Sequence, residues 1–200
     1  MSSANGKKER FKKEIITDRA VSILDFNRRF VERESYKELV TSGFPEKKLV
    51  VLSCMDTRLT ELLPKAMNLR NGDAKIVKNA GATIMHPFGS ITRSILVAVY
   101  EFEVEDVFVV GHYGCGMAKL DGQEILKKAV VRGVESKTIE TLRHSGIAID
   151  DWLRGFDSES DAVLESVERL RNHPLMPKDV VIHGMLMHPE TGKLDHLISK

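Results

Sequence analysis

Only two cysteines occur in the 200 residues, too few for the disulfide framework of a small secreted domain, so they are read as free thiols or metal ligands in a reducing compartment. An excess of one charge sign is also missing. Thirty Lys and Arg stand against 29 Asp and Glu, a formal charge of +1, which removes any broad electrostatic case for nucleic acid, anionic membrane or a polyanionic substrate. No apolar run reaches signal-peptide or membrane-spanning length, and the basic opening MSSANGKKERFKKEI is not followed by one, so the protein is expected to be soluble and cytoplasmic. There is no internal repeat. A hydrophobic fraction of 42% in a chain of 200 residues supports one core and not two, so residues 17–200 are expected to form a single domain behind a flexible tail, 1–16.

Within that domain, Thr17 is a candidate N-cap. Val21, Leu24, Phe30 and Leu39 follow at roughly helical spacing up to Gly43-Phe44-Pro45, predicting an amphipathic segment. Lys47 to Cys54 is a short, β-branched apolar run of the kind buried on both faces of a sheet. Ala74 to Ala80 and Asp106 to His112 have the same form, with a helical pattern between Ser90 and Phe102. Helical patterns follow at 123–134, 138–144 and 158–173, then a strand from Asp179 to Met187, a turn over Pro189 to Gly192 and a short return strand. The pattern predicts an α/β fold: a mainly parallel four-stranded central sheet with an added antiparallel C-terminal strand and helices on both faces.

Cys54 ends the first strand within Cys54-Met55-Asp56-Thr57-Arg58, and His112 ends the third within His112-Tyr113-Gly114-Cys115. Ligands of open parallel sheets bind beyond the carboxyl ends of strands at a topological switch, so both runs can face one site. Two thiolates and one imidazole suit Zn²⁺, and three protein ligands leave a fourth position for chemistry. There is no third cysteine, so a fourth protein ligand would have to be a histidine or a carboxylate, and Asp56 is the nearest carboxylate. Arg58 can pair with Asp56 by a bidentate contact, which makes a switch: held by Arg58, Asp56 leaves the metal open; released, it displaces the metal's water. In the open arrangement the expected nucleophile is zinc-bound hydroxide, with activity favouring alkaline pH because two thiolates neutralise the ion.

The runs C-x-D-x-R and H-x-x-C, each at a strand end, resemble the paired motifs of the β-carbonic anhydrases. Asn79-Ala80-Gly81-Ala82 and Thr191-Gly192-Lys193-Leu194 also look like that family, so the resemblance runs from about Lys47 to the end and is closest to the short microbial branch. It implies a zinc enzyme that interconverts CO₂ and bicarbonate. Cys54, His112 and Cys115 would be the zinc ligands, Asp56 and Arg58 the catalytic dyad with Asp56 the alternative fourth ligand, and Gly81 and Ala82 would lie beside the substrate. It further implies a homodimer or dimer of dimers in which the N-terminal helix, residues about 17 to 40, packs on the partner. The same fold hosts carbonyl sulfide and carbon disulfide hydrolysis, and a non-catalytic zinc- or bicarbonate-binding module is the remaining alternative. The intact Asp56-Arg58 pair argues against that last reading, since merely holding zinc does not need it.

Other features have plainer explanations. Gly111, Gly114 and Gly116 lack the spacing of a dinucleotide loop, and Thr191-Gly192-Lys193 lacks the rest of a phosphate loop. Met185 and Met187 are expected to fill the core. Met85, Phe88 and Met117 are candidates for an apolar pocket wall, and His86 is the loop histidine to watch as a proton shuttle. His183, His188 and His196 are close in sequence but are not expected to converge on a second metal.

Overall fold

A computed structural model describes residues 17–199; the expected tail, 1–16, lies outside them. The chain divides into two compact units, one up to Thr41 and one from Ser42 onward. In the first, helix α1 (Asp18–Glu32) starts at the expected cap, with the Thr17 hydroxyl accepting from the Ala20 N–H at 3.3 Å. It stops short of the expected residue 40. Glu34 takes a φ of +55°, in the left-handed region a helix cannot pass through, and only a 3₁₀ turn at Lys37–Leu39 follows.

The second unit is built on five strands: β1 (Leu49–Cys54), β2 (Ala74–Asn79), β3 (Asp106–His112), β4 (Val181–Met187) and β5 (Leu194–Ser199). They lie in the order β2-β1-β3-β4-β5, the first four parallel and β5 antiparallel to β4. Helix α2 (Leu59–Ala66) links β1 to β2, and α3 (Ser90–Glu101) links β2 to β3. Four helices, α4 (Gly122–Val131), α5 (Ser136–His144), α6 (Ile149–Leu153) and α7 (Glu159–Arg171), separate β3 from β4. The chain leaves β1 toward β2 and then crosses back to β3 on the other side. The carboxyl ends of β1 and β3 therefore flank the switch point, where Cys54 and His112 emerge.

The core gathers on the central strands: Val50, Val51, Leu52, Val107, Val109 and Val110 have no exposed surface. Met187 is buried there and Met185 packs against it, as expected of core methionines. Strand β2 departs from the expectation of burial on both faces. It is an edge strand with no fully buried residue, and Ile76 is nearly half exposed. Lys75 and Lys78 belong to that edge, where charged side chains discourage pairing with a foreign strand. Helices α2 and α6 were not expected. The first is short and contains Pro64, which breaks the helical signal in sequence; the second has five residues and is held by Ile149 in a small satellite core with Leu126 and Ile139.

Gly111 shows how closely α7 meets the sheet. A β-carbon there would lie 2.7 Å from Val163 Cγ2 and 3.0 Å from Leu186 Cδ2, so a helix of this register packs on β3 only over a bare backbone. Gly111→Ala is expected to lower unfolding free energy by about 1–3 kcal/mol through overpacking, read as a lower denaturation midpoint at unchanged slope.

The β4–β5 hairpin carries an ionic cluster. Asp195 accepts from Lys193 Nζ (2.7 Å), His188 Nε2 (2.8 Å) and the Tyr113 hydroxyl (3.0 Å), and these partners, Lys193 foremost, hold its carboxyl down to about 2. A depressed folded-state value means stability that is fully present above the unfolded carboxyl value of about 4 and is lost as pH falls toward 2. The melting-temperature deficit of Asp195→Asn against the native chain should therefore be constant above pH 5 and shrink between pH 4 and 2. A deficit that persists undiminished at pH 2 would show that the carboxylate's charge plays no part.

Candidate metal centre

Cys54 and His112 arrive on rigid strand ends, and Cys115 follows in a turn that Gly114 makes possible with a φ of +63°. All three are buried, and their donor atoms lie within 4.8 Å of one another, the sole such group among the described residues. The sulfurs are 3.8 Å apart, too far for a disulfide. Two Zn–S bonds of about 2.3 Å at a tetrahedral angle would set sulfurs at about this separation.

His112 is prepared in the same sense. Its Nδ1 lies 3.0 Å from the Tyr113 carbonyl, which can only accept, so the ring carries its proton there and presents a lone pair at Nε2. That Nε2 is buried without a hydrogen-bond partner, a costly state for a polar atom unless it serves as a ligand. The mutual hydrogen bond of the two sulfurs holds the Cys54 thiol below its ordinary value and pushes the Cys115 thiol up. The Gly81 N–H adds a contact to the Cys54 sulfur at 3.4 Å. An S₂N donor set with an unspent imidazole lone pair fits a zinc ion.

Asp56 and Arg58 are paired in the expected bidentate manner. Asp56 Oδ1 accepts from Arg58 Nε (3.0 Å) and the Arg58 N–H (2.9 Å), and Oδ2 accepts from Nη2 (2.8 Å). Arg58 Nη2 also reaches the Gly114 carbonyl at 3.4 Å, tying the ion pair to the turn that carries Cys115. The Arg58 hydrogen bonds hold the Asp56 carboxyl well below the usual carboxylate range. Its Oδ2 stays 3.7 Å from His112 Nε2, so the structure records the arginine-held arrangement.

Gly81 has a φ of +83°, and a β-carbon there would meet Phe156 Cε1 at 2.7 Å and Met117 Cγ at 3.3 Å. Ala82, expected beside the substrate, has no exposed surface and belongs to the core. Helix α7 holds the chain just beyond: Ser166 Oγ accepts from the Ile84 N–H at 3.0 Å, and Arg169 donates to the Ile84 carbonyl. Phe156, Ser166 and Arg169 carry no motif that sequence reading could have found.

A cavity of about 360 Å³ opens on the centre, lined by Cys54, Asp56, Thr57, Ala80, Cys115 and Met117 among others. Of the three wall candidates only Met117 reaches it. Met85 lines a neighbouring cavity, and Phe88 packs on His173 instead. His86 Nδ1 accepts from the Phe88 N–H within its own loop and does not line the cavity. His183, His188 and His196 are engaged separately, by Asp106, Asp195 and Ser199.

Residues 49–194 match the family model described as carbonic anhydrase. This chain belongs to the β-carbonic anhydrase family. It is 56% identical over 89% of its length to a Bacillus subtilis protein named "Putative carbonic anhydrase YvdA", 90% of which is covered. The crystal structure of β-carbonic anhydrase isoform I from Trichomonas vaginalis matches 91% of this chain and 98% of its own with a TM-score of 0.81 at 30% identity. A carbon disulfide hydrolase of Saccharolobus solfataricus is 31% identical over 81% of this β-carbonic anhydrase family chain and 83% of its own. The α/β sheet, its antiparallel final strand and a Cys-His-Cys cluster suited to a metal ion thus agree with the family.

Proposed function

We propose that this chain is a zinc-dependent carbonic anhydrase that catalyses CO₂ + H₂O ⇌ HCO₃⁻ + H⁺. The observation that carries the reading is the unspent, buried Nε2 of His112 beside two cysteine sulfurs, with both cysteines lining a cavity that an arginine-held carboxylate also borders. Zinc held by Cys54, His112 and Cys115 supplies a Lewis acid that makes water nucleophilic near neutral pH.

The protein's own groups do the rest. Arg58 occupies both oxygens of Asp56 and so keeps that carboxylate off the fourth position, while leaving it ionised and able only to accept a hydrogen bond. Asp56 therefore orients the attacking water, and the hydroxyl of bicarbonate in the reverse direction, by taking their proton side. Loss of the Arg58 contact would free Asp56 to act as the alternative fourth ligand. Ala80 and Met117 are the apolar walls for a linear molecule, while Gly81 acts from behind them through its N–H on the Cys54 sulfur and Ala82, buried in the core, supports that turn. We further take the molecule to be a cytoplasmic homodimer, or dimer of dimers, whose partner covers Val21, Leu24, Phe26 and Val31 of α1, all exposed in the single chain. None of the described helices is long and apolar enough to cross a membrane.

Stopped-flow CO₂ hydration at pH 7 and 8.5, with zinc measured on the same sample, tests the reading. Turnover rising with pH on one zinc per chain supports it. Zinc without turnover favours a binding module, and absence of zinc removes the basis of the proposal.

Carbon disulfide hydrolysis is the second reading, favoured by the Saccharolobus relative. The wall residue bearing on it is Met117, which lines both the cavity at the centre and the adjacent one of about 490 Å³. Met117→Ala thins the wall shared by the two spaces and should raise the CS₂-to-CO₂ ratio of kcat/KM by about tenfold, the lower end of what one methylene is worth in an apolar pocket. An unchanged ratio in parallel assays would remove Met117 from the specificity wall.

A further inference from the structure

Tyr113 stands between two of the metal-centre residues in sequence, and each of its polar groups is engaged. Its N–H donates to the Met187 carbonyl at 3.0 Å, at the end of β4. Its carbonyl takes the bond from His112 Nδ1 that leaves Nε2 free. Its hydroxyl crosses to β5 and donates to Asp195 Oδ2 at 3.0 Å. The His188 ring packs on the Tyr113 ring with centroids 4.3 Å apart, and its Nε2 shares the same Asp195 oxygen. The terminal hairpin thus grips the turn from His112 to Cys115 by backbone, ring and hydroxyl.

We propose that Asp195 is a positioning residue for the metal centre, acting through Tyr113 to hold the His112–Cys115 turn in the geometry that a zinc ion requires. The inference rests on reading the centre as a zinc site. Without such an anchor the turn has reason to drift. Tyr113 is more than a third exposed, and Gly114 beside it leaves the backbone pliable. Moving the Tyr113 carbonyl would also move the group that sets the His112 tautomer. The partners that keep Asp195 ionised, Lys193 foremost, preserve it as an acceptor throughout the neutral range.

The test is a double-mutant cycle on the full-length protein with Tyr113→Phe, Asp195→Ala and both together. Zinc affinity is read by competition with a chromogenic chelator, alongside the visible spectrum of the Co²⁺-loaded protein and the melting temperature. A group bonded directly to a metal ligand typically carries about 10- to 100-fold in affinity. The Tyr113 hydroxyl and Asp195 act one step further out, through the Tyr113 carbonyl, so each single variant should weaken zinc by about 3- to 10-fold, below that range, and alter the Co²⁺ bands. The double variant should be no weaker than the worse single, because one path has been cut twice. Tyr113→Phe removes a single oxygen and leaves the fold intact, which guards against misreading an unfolded Asp195→Ala. Native zinc affinity in Tyr113→Phe would overturn the proposal, as would losses that multiply in the double variant. Failure of the catalytic reading looks different: the native chain would bind zinc tightly and turn over no CO₂, while the cycle kept its coupling.

Discussion

Replacing Cys54 by alanine should empty the metal centre: zinc falls from about one per chain to below about a tenth, and CO₂ hydration falls to the uncatalysed background. The expectation follows from the donor count. Cys54 is one of three donors within 4.8 Å, and no other cysteine can take its place. Zinc is held almost always by at least three protein ligands in catalytic sites, so a two-donor remnant holds it poorly. The change also removes the acceptor of the Gly81 N–H and the partner of the Cys115 thiol. Because binding to the native state alone stabilises that state, the chelator-treated native protein should melt at a lower temperature, and the variant at that temperature or below it, since it also loses these contacts. Stoichiometric zinc retained in Cys54→Ala, measured by metal analysis after gel filtration, would remove Cys54 from the ligand set.

The second large effect separates chemistry from metal binding. Asp56→Ala should keep zinc at about one per chain yet lose turnover by about 100- to 1,000-fold, the range for removing one preorganised hydrogen-bonding group at the reacting atoms. Asp56 is not needed to hold the ion, since Arg58 engages both of its oxygens. Arg58→Ala should also lose turnover with zinc retained, but for a different reason. The freed carboxylate starts with an oxygen 3.7 Å from His112 Nε2 and can swing to the fourth position. The double variant discriminates the two: Asp56→Ala in the Arg58→Ala background should not deepen the loss, because the blocking group has gone. Wild-type turnover in Asp56→Ala would falsify the orienting role outright.

These outcomes depend on features of unequal visibility in the sequence. Cys54-Met55-Asp56-Thr57-Arg58 and His112-Tyr113-Gly114-Cys115 could be read directly, because a strand end followed by a tight turn keeps neighbours in sequence neighbours in space. The Asp56–Arg58 pairing belongs to this class, with one residue between partners and the geometry set by the local turn. Strand β3 was legible residue for residue because its apolar run is bounded by Asp106 and His112. Strand β2 has a similar run, yet its exposure followed from strand order, and the only local sign was the pair of lysines at 75 and 78. Helix α1 ended early because a left-handed residue at 34 leaves no mark in a hydropathy pattern.

By itself the sequence determined the chemistry available to this protein: two thiols, an imidazole and a carboxylate-guanidinium pair, each tied to a strand end by its flanking residues. Only the tertiary structure decided that they meet. Cys54 and Cys115 are 61 residues apart in the chain, and their sulfurs stand 3.8 Å apart because β1 and β3 pair as neighbours at the switch point of the sheet. The outer supports were decided in the same way. Ser166 on α7 and Asp195 on β5 have no motif; they reach the Ile84 backbone and the Tyr113 hydroxyl through helix packing and strand register, which bring together residues 82 positions apart in each pair. Local patterns encode which atoms a residue can offer and which way a short turn points. Long-range pairing, settled by burial of the whole core, selects the partners those atoms find.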